Sequence, residues 1–352
     1  MRPRGAPLAL YAAIAVAALA APWLAPAYAT QMAFLWMMVV FALTWDVVGG
    51  QMGYNSFGNI FFFGLGMYVT AVVQRDLFFG AEEYVHVAGS LEFQLTPLQY
   101  LGGLALGMAL GAVVCVVAAA VLGSGILGLR GHYFAICTLG LGLAGGEIAA
   151  GWDYVGAGSG LVTPVFPDGL GERGIFFSYL FFVLAAATFL TLRWLYAGRF
   201  GLAINAIRDD EDKAEAMGLR TTRYKTLAWC VTAFFLSFAG GGAGNLIGFI
   251  DPTDVAFAGA TFGVWMVLMA ILGGKGTIWG PVIGAAIFHV TQELFWTYLL
   301  GWQRVALGLL IVVIVVFFPQ GIIGYLRERW PERFGEVVDE DAAAARTGGG
   351  GE

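Results

Sequence analysis

Apolar and polar positions alternate along this chain on the scale of whole segments. Runs of about 18 or more apolar residues, long enough to cross the hydrocarbon core of a bilayer, recur with short polar breaks between them. Ten are predicted: Leu8–Ala29, Met32–Gly49, Phe57–Val73, Leu98–Leu122, Tyr133–Gly151, Ile175–Tyr196, Thr226–Ile247, Ala260–Trp279, Pro281–Leu299 and Val305–Phe318. The break between the sixth and seventh is different in kind. It reads GRFGLAINAIRDDEDKAEAMGLRTTRYK from Gly198 to Lys225, a charged island between two membrane-length runs. The pattern predicts an all-α polytopic membrane protein of about ten transmembrane helices. Ten spans could divide into two inverted five-helix halves, although no clear sequence repeat marks them.

The placement of Lys and Arg gives the orientation, because positive residues stay on the cytoplasmic side. With the N-terminus inside, fifteen of the eighteen basic residues fall inside, seven of them between Arg193 and Lys225. Only Arg75, Arg173 and Arg304 fall outside, and the outer loops carry mostly acids, among them Asp76, Asp153, Asp168, Asp251 and Asp254. Both termini and the polar island are therefore expected in the cytoplasm. Residues 1–330 read as one transmembrane permease domain, with a coupling segment at 197–225. Residues 331–352, acidic and then rich in Ala and Gly, read as a disordered cytoplasmic tail.

Composition excludes a soluble domain: 59% of residues are hydrophobic and 12% charged, with a mean hydropathy of +0.78. The chain has a net charge of −6 and no basic stripe with interleaved aromatics, so no nucleic-acid partner is expected. Cys115, Cys137 and Cys230 lie in predicted spans without CxxC spacing and read as small buried hydrophobes. The N-terminal Arg2, Arg4 and Ala27-Tyr28-Ala29 have the look of a signal peptide, but the apolar run is long for one and is read as a retained first span.

Fifty-two glycines are spread unevenly. Gly103, Gly107 and Gly111, and Gly280 and Gly284, repeat every four residues and predict close helix packing. Gly49-Gly50, Gly145-Gly146, Gly240-Gly241-Gly242 and Gly273-Gly274 are clustered and predict loosened or broken helices, which membranes tolerate only within the bundle or along a polar path.

Ionisable residues within the spans are few: Asp46, Glu147, His289 and Glu293. His289 and Glu293 share a helix face but have too few companions for a metal site. The polar stretch Gly50–Asn59 reads either as a turn or as a broken helix, in which Asn55, Ser56 and Asn59 would line the path. Gly158, Ser159 and Gly160 pose the same choice between a plain loop and an outer mouth. Lys275 departs from the phosphate-loop pattern, which needs Gly where Met269 stands and Ser or Thr where Gly276 stands. The acids Asp209–Asp212 could hold Mg²⁺ as in an intramembrane prenyltransferase, but the second candidate motif, Asp251–Asp254, falls on the opposite membrane face.

Within the polar island, acids lead and bases follow, as the helix dipole favours, and Gly218 is a natural stop. A single short helix is predicted over Ala203–Met217, with Ala206, Ala214 and Ala216 as small residues on a knob. Such a knob could dock a separate motor subunit.

These residues resemble the coupling loop of branched-chain amino-acid ABC importer permeases of the LivM type. The shared features are Gly198-Arg199, Ala206-Ile207-Arg208, the acids Asp209–Asp212, and Ala214-Glu215-Ala216-Met217-Gly218. Ser56–Asn59 with Phe62–Tyr68, Leu129–Ile136, and Leu272–Pro281 are similar to further motifs of the family. The chain departs from it at Tyr54, often Gln there, at Asn59, often His, and at Val155–Gly160, often Thr-Gly-Gly-Ser-x-Gly.

The resemblance implies a permease subunit that is not itself an enzyme and binds no cofactor, ATP and Mg being bound by partners. Those partners would be a second, LivH-type permease, two ABC ATPase subunits and an extracytoplasmic solute-binding protein, in a bacterial or archaeal inner membrane. Asn205, Ala206, Arg208, Asp209, Asp210, Glu211, Ala214, Glu215, Ala216 and Gly218 would couple to the ATPases. The cargo would be a branched-chain or other hydrophobic amino acid, with urea or short amides as the alternative within the family. A proton-coupled secondary transporter is the alternative of a different class; the scarcity of intramembrane carboxylates counts against it.

Overall fold

The computed structural model describes residues 8–78, 95–299 and 321–329, with scattered positions between 301 and 316. Most of the predicted tenth span and the whole predicted tail lie outside the described residues. The described chain is almost entirely helical. The helices are α1 (Leu8–Leu24), α2 (Ala29–Asp46), α3 (Asn59–Phe78), α4 (Pro97–Ile126), α5 (His132–Ala150), α6 (Arg173–Tyr196), α7 (Arg199–Asp209), α8 (Glu211–Ala216), α9 (Thr221–Ile247), α10 (Val264–Gly273), α11 (Gly280–Tyr298) and α12 (Gly321–Arg329). Two-residue strands, β1 (Leu161–Val162) and β2 (Phe249–Ile250), pair antiparallel with Leu161 opposite Ile250.

Seven segments among the described residues are long and apolar enough to cross a membrane: Pro26–Gln51, Asn59–Phe78, Pro97–Ile126, His132–Ala150, Arg173–Tyr196, Thr221–Ile247 and Pro252–Gly273. They coincide with the second to eighth predicted runs. Helix α1 has 17 residues and falls short of that length. Helix α11 has 19 residues but carries His289, Gln292 and Glu293, which lower its apolarity.

Helix α9 is the centre of the bundle and packs most extensively on α3 and α4, while α2 packs on α6 and α11. Glycine makes these approaches possible. A Cβ on Gly240 would stand 2.0 Å from the Phe63 carbonyl oxygen, and one on Gly284 1.9 Å from that of Met269. The predicted four-residue stripe faces inward as expected, with a Cβ on Gly107 falling 2.9 Å from the Thr70 carbonyl and one on Gly111 2.9 Å from Ser237 Oγ.

The glycine clusters divide into two kinds. Gly49-Gly50 lie in a π turn, Val47–Gln51, after which the chain leaves helical geometry until Asn59. Gly273 ends α10, and Gly274 takes φ +120°. Those two clusters are breaks, as predicted. Gly145-Gly146 and Gly240–Gly242 lie instead in uninterrupted helix. They serve packing: a Cβ on Gly145 would meet Phe257 at 2.8 Å. Their neighbours supply enough helical hydrogen bonds and burial to hold the backbone regular despite glycine's entropy cost.

Candidate coupling face and translocation path

The polar island folds as two helices, α7 and α8, where one over Ala203–Met217 was expected. Asp210 divides them. Its backbone is extended (φ −164°, ψ 104°) and its Oδ1 accepts the Lys213 N–H at 3.0 Å. Aspartate is favoured at such an N-cap over a helix interior because its side chain satisfies an otherwise unpaired amide. The Lys213 ammonium also holds the Asp210 carboxyl below its ordinary value. At the other end of α8, Gly218 takes φ +85°. Its N–H bonds to the Glu215 carbonyl at 2.8 Å, and the Leu219 N–H bonds to the Ala214 carbonyl at 3.0 Å. This double closure at a left-handed glycine stops the helix.

The acids of α8 turn towards the bundle. Glu211 Oε1 lies 2.7 Å from the Lys225 ammonium in the first turn of α9, and the pair is nearly dry, with side chains 10% and 2% exposed. Lys225 also donates to the Leu127 carbonyl at 2.6 Å and to the Tyr54 hydroxyl at 3.3 Å, and stands 4.8 Å from the Tyr54 ring centre. Tyr54 in turn donates a short hydrogen bond to Glu211 Oε2. A buried ion pair is sustained only when such extra hydrogen bonds complete it, and removing one partner costs about 3–5 kcal/mol. Burial alone would raise the Glu211 carboxyl. The hydrogen bonds from Lys225 and Tyr54 and the charges of Lys225 and Arg130 outweigh burial and hold it below its ordinary value. Burial and the Glu211 carboxylate push the Tyr54 hydroxyl well above its own, so it remains a donor.

Around this core lies a wetter rim. Arg130 meets Asp212 at 2.6 Å, Glu211 at 3.4 Å and Glu215 at 3.8 Å. The Thr221 hydroxyl donates to Glu215 at 2.5 Å. Ala214 is buried, while Ala206, Ala216 and Met217 face outward, Met217 being 89% exposed. Asn205 is half-buried, with its Oδ1 unpaired. Arg208 pairs with Asp209 at 3.1 Å. It packs against both glycine breaks: a Cβ on Gly53 would come 3.0 Å from its Cγ, and one on Gly276 3.6 Å from its guanidinium nitrogen. Asp46, buried at the end of α2, accepts the Gly276 N–H at 2.7 Å and so joins the two breaks.

The expected path residues fall into two separate groups. Ser56, in the connection between α2 and α3, and Asn59, the first residue of α3, are buried, whereas Asn55 is exposed. The Ser56 carbonyl accepts the Trp45 indole N–H at 2.7 Å. Both side-chain atoms of the Asn59 amide are buried without a partner. Phe57 N–H donates to Thr138 Oγ1, about two turns into α5. Gly158, Ser159 and Gly160 follow the far end of α5, a helix about 28 Å long at 1.5 Å per residue. Gly158 and Ser159 are exposed there, and the Ser159 hydroxyl donates to the Gly156 carbonyl at 2.6 Å. The two groups are therefore about 18 Å apart along α5, measured from Thr138 to its end, and do not form one site. At that far end, Tyr100, Asn245 and Gln74 form a buried hydrogen-bonded chain at 2.9 and 2.8 Å that ties α4, α9 and α3 together.

Sequence reasoning missed Lys225 as the partner of Glu211, Arg130 as the rim cation, and the Asp46–Gly276 tether. The available signal for Lys225 was a charged residue directly ahead of an apolar run, a costly place for an unpaired ammonium.

A family model described as the permease component of branched-chain amino acid transport systems matches residues 26–317. The high-affinity branched-chain amino acid transport system permease protein LivM of Salmonella typhimurium is 26% identical over 345 residues, covering 89% of this chain and 79% of that protein. LivM of Escherichia coli is 25% identical over the same shares. LivH of Salmonella typhimurium is 34% identical over 128 residues, covering 36% of this chain and 40% of that protein. No solved structure matches. With a match running from the start of α2 through every described break and the polar segment, the chain belongs to the family of branched-chain amino acid transport system permease components.

Proposed function

We propose that this chain is one permease subunit of an ATP-binding-cassette importer of branched-chain or other hydrophobic amino acids in a bacterial or archaeal inner membrane. It would pair with a LivH-type permease, take ATP-derived force from two ATPase subunits, and receive substrate from an extracytoplasmic binding protein. Both termini would be cytoplasmic, across about ten spans. The observation that carries this reading is the polar segment itself. Helices α7 and α8 stand outside the bridging helices, are capped at Asp210 and Gly218, and present Ala206, Ala216 and Met217 outward. An exposed methionine among charges is a natural contact for a partner groove. The names of the LivM and LivH relatives support the cargo class and the second permease.

In this reading, closure of the ATPases pushes on Asn205–Gly218 and turns the cavity between alternate faces. Asn59, with an unpaired amide at the first residue of α3, is the path residue best placed to meet a polar group of the cargo. Gentle affinity purification from native membranes tests the assignment. Co-recovery of a second permease and ATPases, with ATP-driven uptake of leucine in reconstituted vesicles, is the expected result. An active transporter that purifies without an ATPase and takes up solute on a proton gradient would overturn it.

A further inference from the structure

We propose that Lys225, Glu211 and Tyr54 form the joint through which movement of α8 enters the membrane bundle, with Tyr54 as its pivot. The inference rests on reading the polar segment as the contact for a separate ATPase and deepens that reading by naming the side chains that transmit force.

Helix α8 has six residues, far below the length at which an isolated helix holds itself together. Its position is therefore set by what grips it. The grip comes from three directions. Lys225 belongs to the central helix α9 and is itself anchored on the Leu127 carbonyl, Tyr54 belongs to the non-helical connection between α2 and α3, and Arg130 to the connection between α4 and α5. Of these contacts, the Arg130 pairs are half-exposed and screened. The Lys225–Glu211 contact is the dry one, and it is strong and directional. A displacement of α8 must therefore carry Lys225 and Tyr54 with it or break that pair.

Tyr54 then passes the displacement on in two ways. Its backbone N–H is tied to the Val48 carbonyl at 2.8 Å, inside the π turn that ends α2. Its ring meets Phe134 of α5 edge-on at 5.2 Å; Phe134 meets Trp229 of α9 at 6.5 Å, and Trp229 meets Phe62 of α3 at 5.1 Å. Tyr54 thus touches the break in α2 on one side and the packed centre of the bundle on the other. Asn59, with its unpaired amide, is five residues farther along, at the first residue of α3.

The test uses the whole complex, reconstituted in vesicles, and reads uptake and ATP hydrolysis in the same sample. Tyr54→Phe keeps the ring and removes the hydroxyl that ties it to Glu211 and Lys225, leaving their direct ion pair in place. The expected result is intact assembly with the ATPases, ATP hydrolysis within about twofold of wild type, and uptake per ATP reduced by about tenfold. Coupled uptake at the wild-type ratio in Tyr54→Phe would overturn the joint. So would a parallel loss of assembly, hydrolysis and uptake, since that marks a purely structural contact. A wild-type complex lacking ATP-driven uptake would overturn the functional reading itself, and the wild-type control reports that outcome separately.

Discussion

Asp46 and Gly276, 230 positions apart, are joined by one hydrogen bond: the buried Asp46 carboxylate accepts the Gly276 N–H at 2.7 Å. The bond ties the end of α2 to the turn between α10 and α11, so both glycine breaks move together. Gly276 takes φ +78° in a partly buried turn. Asp46→Leu should lower stability by about 0.5–1.5 kcal/mol, the net worth of one such hydrogen bond. Asp46→Asn, whose amide oxygen can still accept, should retain most of it. Thermal unfolding in detergent checks the order wild type, Asn, Leu; equal melting of Leu and wild type would show that the tether is idle.

Gly218→Val tests the stop of α8. A Cβ there meets nothing within 4 Å, so the substitution adds no clash. The only cost is the left-handed backbone at φ +85°, about 1–2 kcal/mol and most severe for a β-branched residue. Expression and bundle stability should be near wild type while uptake falls, because the angle at which α8 leaves towards α9 is disturbed. Wild-type uptake in Gly218→Val would remove α8 from the coupling route.

The Glu211 lock has a defined response to acid. Its folded carboxyl sits below the ordinary value of 4.5. The stability it contributes is therefore complete above that ordinary value and is lost as pH falls through the lower folded one. Glu211→Gln should flatten the decline in thermal stability over that acid window and leave the neutral and alkaline limbs parallel to wild type. Melting curves measured from neutral pH into acid decide it; an unchanged acid limb in Glu211→Gln would mean that other carboxylates govern the decline.

The runs that cross the membrane were legible because each is a local property of about twenty consecutive residues, and a single unpaired charge inside one is expensive. The charged segment between the sixth and seventh runs stood out for the same reason. The division of that segment at Asp210 was legible in principle, since a run of four acids invites one of them to cap rather than continue a helix. The joint was not legible. Tyr54, Glu211, Lys225 and Leu127 lie between 14 and 171 positions from one another's partners, and nothing in a single sequence says which acid a buried lysine will find. Glycine clusters misled in half the cases for a related reason. Close packing surrounds Gly273 as well as Gly145 and Gly240, so what separates the two kinds is the backbone: the chain leaves the helix after Gly49-Gly50 and at Gly273-Gly274 and continues it through Gly145 and Gly240.

Those glycines supply a graded test of packing. Gly240→Ala places a methyl 2.0 Å from the Phe63 carbonyl oxygen, a backbone atom that cannot rotate aside, whereas Gly140→Ala meets nothing within 4 Å. The first should cost about 1–3 kcal/mol through forced separation of α3 and α9. The second should be neutral or gain about 0.4–1 kcal/mol by restricting the unfolded chain. Unfolding measured side by side distinguishes them, and equal melting of the two variants would contradict the close α3–α9 approach.

Asn59 separates a residue kept for transport from one kept for the fold. Its amide is 1% exposed, yet neither side-chain atom has a hydrogen-bond partner. Burying such a group unpaired costs about 1–3 kcal/mol, so the residue works against stability where it stands. Asn59→Leu, close to it in size, removes the unpaired amide and should leave the melting temperature unchanged or raised. If the amide meets the polar end of the cargo as it passes the break after α2, the same variant should lose uptake, with the loss falling on apparent affinity as well as on rate. Stability and uptake would then move in opposite directions, which a packing residue does not do. A variant that melts lower and transports less would place Asn59 among the structural polar groups instead, its amide satisfied by water within the bundle.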